Sequence, residues 1–82
     1  MIYNIVTDAF LEQFQNDGTL KKVQNAIREM RKLTTGDIVK VAQNEEVKGC
    51  LQKEYIFEEN GKEIKIIFVK NGGSLYAAVV RD

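Results

Sequence analysis

Two turn signals near the C-terminus constrain this chain more than anything else in it. Residues 51–81 read LQKEYIFEENGKEIKIIFVKNGGSLYAAVVR, three β-prone runs separated by Asn60-Gly61 and Asn71-Gly72-Gly73. An Asn-Gly pair between such runs favours a type I′ turn, because both central residues must adopt φ > 0. The stretch therefore predicts a three-stranded antiparallel meander. A two-residue turn at Asn60-Gly61 also sets the register, with Glu59 facing Lys62, Phe57 facing Ile64 and Tyr55 facing Ile66.

On that register Tyr55, Phe57, Ile64, Ile66 and Phe68 share one face. Reading the second turn as three residues places Lys70 opposite Ser74 and adds Tyr76, Ala78 and Val80 to the same face. The other face is polar where Gln52, Glu54, Glu58 and Lys65 fall. It turns apolar at Ile56, Ile67, Val69, Leu75, Ala77 and Val79. A one-sided sheet alternates apolar and polar residues, so this surplus calls for a cover. The candidates are the 38–42 segment or the first helix, a second copy of the chain, or a protein partner. These six residues are the candidate partner-binding set.

Upstream, the run IYNIV over residues 2–6 suits a short strand. Thr7 then offers an N-cap with Asp8 in the first turn, and Phe10, Leu11 and Phe14 form one apolar face of a helix reaching about Asn16. Gly18 reads as its stop and Thr19 as the cap of a second helix, LKKVQNAIREMRKL. Leu20, Val23, Ala26, Ile27, Met30 and Leu33 recur at spacings of three and four, the stripe of a helix lying on a core. Residues 38–44 fit a strand or a short helix equally well. The expectation is a single α+β domain over 1–82: a short N-terminal strand and a two-helix hairpin packed on one face of a C-terminal three-stranded antiparallel meander.

Charge narrows the function. Twelve basic and twelve acidic side chains cancel over 82 residues, so no global positive field draws the chain to phosphate. The distribution is uneven, since residues 19–33 carry Lys21, Lys22, Arg28, Arg31 and Lys32 against Glu29 alone. That basic helix face is the candidate contact for an acidic partner or a nucleic acid, set against the plainer reading of a solvated surface.

Histidine is absent, which removes the usual general base, the commonest metal ligand and every nucleophile that relies on an imidazole. Cys50, in VKGCLQ, reads as a structural thiol and leaves no partner for an internal disulfide. Glu45-Glu46 and Glu58-Glu59 lack calcium-loop spacing. Gly72-Gly73 belongs to no phosphate-binding motif. No catalytic residues, metal ligands or cofactor are expected. The N-terminus lacks a signal-peptide pattern and the longest apolar runs, IIFV and AAVV, fall far short of a membrane span. A cytoplasmic protein is expected, engaging a protein partner or itself and no membrane.

In its order of elements the chain is similar to the RelE/ParE-type bacterial toxins, with a short strand, two helices and a terminal meander. The similarity rests on layout alone. It implies a small ribonuclease or RNA-binding domain, for which Lys53, Lys65, Tyr76 and Arg81 are the residues to test, with the basic helix on phosphate. The residues themselves point first to a non-enzymatic binding module, a regulator or inhibitor of bacterial, phage or mobile-element origin, acting through a sheet face, a sheet edge or the basic helix.

Overall fold

The computed structural model describes residues 2–33, 40–41 and 51–81, the side chains of Lys40 and Val41 excepted. The elements in chain order are β1 (Asn4–Ile5), α1 (Asp8–Leu11), α2 (Asp17–Lys32), β2 (Lys40–Val41), β3 (Leu51–Glu59), β4 (Lys62–Asn71) and β5 (Ser74–Arg81). The strands form one antiparallel sheet in the order β1-β5-β4-β3-β2. The α+β architecture expected from sequence is present. The meander β3-β4-β5 is its centre, and the two-residue strands β1 and β2 extend it on either side. Within the ambiguous 38–44 segment, Lys40–Val41 is strand, pairing with Gln52 and Leu51. The rest of that segment, Glu45-Glu46 and Cys50 lie outside the described residues.

Asn60 and Gly61 both take positive φ, 53° and 78°, and the β3–β4 register is the expected one, from Glu59↔Lys62 to Leu51↔Lys70. The second turn differs. Its loop is Gly72-Gly73 alone, with Gly72 at φ 62°, and Asn71 stays in β4 opposite Ser74. The pairs that follow are Lys70↔Leu75, Phe68↔Ala77 and Ile66↔Val79. A glycine pair supplies a two-residue hairpin loop without help from Asn71. Side chains alternate along a strand, so this one-residue difference turns all of β5 over. Leu75, Ala77 and Val79 lie on the helix side, and Tyr76, Ala78 and Val80 on the other, the reverse of the sequence expectation.

The helix side is the core. Val23, Ala26, Ile27 and Met30 of α2 and Phe10 and Phe14 from the α1 region cluster with Ile64, Ile66, Phe68, Leu75 and Ala77. Phe68, Met30, Ile66 and Val23 are fully buried, and a buried side chain of this size contributes about 1.5–3 kcal/mol in transfer free energy. Tyr55 meets Phe68 edge-on at 5.5 Å, as aromatic pairs prefer.

The first helix begins as expected, with Thr7 at its N-cap and Asp8 in its first turn, but the junction between the helices differs. The residue capping α2 is Asn16, whose Oδ1 accepts the Thr19 N–H at 3.1 Å. Thr19 is therefore inside the helix and buried, and Gly18 is in the first turn instead of stopping α1. An N-cap requires extended backbone, and Asn16 has it at φ −80°, ψ 119°. The preceding helix must end before that point, and α1 closes at Leu11. Phe10 and Phe14 nonetheless meet, with ring centroids 5.5 Å apart. At the far end of α2, Lys70 Nζ donates to the carbonyls of Arg31 and Leu33 at 2.9 and 2.7 Å. A cation there satisfies carbonyls that lack an intrahelical partner and suits the negative end of the helix dipole.

The register makes a direct prediction. Leu75→Ala should cost about 2–5 kcal/mol, as for a large-to-small change in a packed core, whereas Val80→Ala should cost under about 1 kcal/mol. Urea denaturation of both variants checks this. Equal losses, or a larger loss at Val80, would place β5 the other way up.

Candidate interaction face

Opposite the helices, the sheet presents cross-strand rows that follow from the pairing. Nearest the Asn60-Gly61 turn is Glu58–Glu63, followed by Ile56–Lys65–Val80, Glu54–Ile67–Ala78, and Gln52–Val69–Tyr76–Ile5. Ile67, Val69 and Ala78 are buried, although none of them belongs to the helix-side cluster. The row nearer the turn is open. Ile56 is 59% exposed and Val80 42% exposed, one on each side of Lys65. Ile5, at the β1 edge of the same face, is 56% exposed.

The six candidate residues therefore divide. Ile56, Ile67 and Val69 lie on this face as expected. Leu75 and Ala77 are core beneath the helices, with Val79 packed against that core, because the tighter second turn inverts β5. The residues that sequence reasoning placed elsewhere are Tyr76, Ala78 and Val80. The signal for them was present in the doubled glycine, which closes a hairpin by itself.

The basic residues of α2 fall as expected. Lys21, Lys22, Arg28, Arg31 and Lys32 are all exposed. Arg28 Nη2 donates to Asn25 Oδ1 at 2.6 Å. Glu29, the one acid among them, accepts the Tyr55 hydroxyl at 2.8 Å. The residues suggested by the toxin-like layout do not converge. Lys53 and Arg81 are on the helix side, Lys53 Nζ 4.9 Å from the Tyr55 ring centre and Arg81 Cζ 5.5 Å from that of Phe14. Lys65 and Tyr76 are on the opposite face.

The titration of Tyr55 is displaced. Its burial first, and then its hydrogen bond to the Glu29 carboxylate and that group's negative charge, raise its pKa well above the ordinary 10.0. The hydroxyl stays a donor, not a nucleophile, through the neutral range. Among the described residues no group of three or more His, Cys, Asp or Glu is placed to hold a metal ion, and no helix is long and apolar enough to cross a membrane. No protein-family model, curated protein or solved structure matches the chain.

The sign of the Tyr55 linkage follows from a folded pKa above the unfolded one. Its contribution to stability is complete below about pH 10 and is lost as pH rises through the folded value. Following phenolate absorbance with pH, the Glu29→Gln variant should ionise Tyr55 at lower pH than the parent protein. An unchanged Tyr55 midpoint would contradict the pairing.

Proposed function

We propose that this chain is a non-enzymatic protein-binding module, a regulator or inhibitor, whose contact surface is the open Ile56–Lys65–Val80 row, towards the Asn60-Gly61 turn on the sheet face opposite the helices. One observation carries the reading: Ile56 and Val80 stand exposed on either side of Lys65 in a single cross-strand row. Two aliphatic side chains held in water by a rigid sheet gain from burial at a partner's surface, at roughly 25 cal/mol per Å². The central ammonium selects a partner carrying a carboxylate between apolar groups.

A second copy of the chain offers that chemistry. Glu54 and Glu58 flank Ile56 on β3, so the face holds apolar groups and charges of both signs within neighbouring rows. An isologous interface needs such self-complementarity. Zero net charge also removes the long-range repulsion that keeps copies apart.

Sedimentation velocity across a concentration series should show reversible dimerisation, and Ile56→Glu should shift the monomer–dimer equilibrium at least about tenfold towards monomer, the effect of roughly 1.4 kcal/mol. Because Ile56 is exposed, the variant should retain the parent's thermal transition. A protein monomeric at every concentration, or one whose assembly ignores Ile56→Glu, would refute the self-association reading.

A further inference from the structure

A basic surface lies on the other layer, along α2. At 100° per residue, the buried seam of α2 runs through Val23, Ile27 and Met30. Lys21 and Lys32 point almost directly away from it, and Arg28 lies about 130° from it. These three cations form a line along the outermost ridge of the helix, spaced by about 10 and 6 Å at 1.5 Å per residue. Lys22 and Arg31 stand on its flanks. Of the two acids in α2, Asp17 lies in the first turn and Glu29 accepts the Tyr55 hydroxyl, and Arg28 is steadied by Asn25. Every exposed position from 21 to 32 carries a polar or charged side chain.

We infer that this ridge is a contact for the phosphate backbone of a double-stranded nucleic acid, independent of the sheet-face reading. Three features favour phosphate over an acidic protein or a single strand. Protein interfaces take most of their energy from Trp, Tyr and Arg anchors seated in well-packed pockets, and the ridge is convex, with no aromatic and no exposed apolar residue to seat. Single-strand binders stack bases on aromatic rings, and α2 has none. Lysine and arginine with amide side chains between them suit phosphate oxygens, and a lone surface helix fits the roughly 12 Å major groove of a duplex.

Overall neutrality does not oppose such a contact. Glu54 and Glu58 are on the far face of the sheet, and the acids nearest the ridge are Asp17, one turn before Lys21, and Glu29, engaged by the Tyr55 hydroxyl. With no base-reading geometry required, binding is sequence-independent and driven by counterion release.

Fluorescence anisotropy with a short labelled DNA duplex of arbitrary sequence, titrated at several salt concentrations, tests the inference. The logarithm of the affinity should fall with the logarithm of salt at a slope of about −3 to −4, from roughly 0.9 per phosphate neutralised. The triple variant K21Q/R28Q/K32Q should keep the parent's circular dichroism and thermal transition. It should lose at least about tenfold in affinity at low salt, with the slope flattened by nearly 3. Absence of duplex binding at low salt, or a triple variant with the parent's slope, would overturn the inference. Polyglutamate competing as well as unlabelled duplex at equal charge would overturn it too, and would reassign the ridge to an acidic protein.

Discussion

The register between β4 and β5 is the constraint on which the rest of this structure depends. A strand has two faces and a period of two, so a single residue added to or removed from a hairpin loop decides which half of its side chains is buried. Here Gly72-Gly73 is the entire loop, with Asn71 opposite Ser74. That choice delivers Leu75 and Ala77 to the helix-side core and turns Val80 outwards. Had Asn71 joined the loop, Tyr76 and Ala78 would have met α2 instead, and the exposed row beside Lys65 would have had a different composition.

Helix α2 is matched to that face by its stripe and held to it by specific bonds along its length. Asn16 closes its first turn, Glu29 in its last turn meets the Tyr55 hydroxyl, and Lys70 from β4 binds the carbonyls at its end. Two of these ties come from the sheet. They connect the orientation of the outward ridge to the same meander that defines the opposite face, so both surfaces are positioned by one rigid unit.

Much of this was legible in the sequence, for identifiable reasons. The α2 stripe is long enough for its periodicity to be decisive, and Asn-Gly needs positive φ at both residues, so the β3–β4 pairing followed residue by residue. Asn71-Gly72-Gly73 was ambiguous because asparagine tolerates either a turn or a strand end, and the consequence of that ambiguity was an inverted β5. The α1–α2 junction was misplaced for a similar reason. Thr19 and Asn16 both have capping side chains, and tertiary burial of Thr19 favours Asn16 as the cap. Ile56 and the basic residues of α2 were found by pattern alone. Val80 depended on a register that local sequence did not determine.

The two surfaces differ in chemistry as well as position. The sheet row places aliphatic groups around a cation, whereas the helix ridge is polar throughout, with cations in excess of acids. The sheet-face assignment rests on β5 facing as described, and nuclear Overhauser contacts between Hα protons test that most directly. In antiparallel pairs the Hα atoms approach closely at the positions not joined by hydrogen bonds. Leu75 turns its carbonyl outwards to the Val6 N–H, so its odd-numbered neighbours occupy those positions towards β4. The structure predicts strong Hα–Hα contacts for Phe68 with Ala77 and for Ile66 with Val79. A contact between Phe68 and Tyr76 in their place would contradict the account.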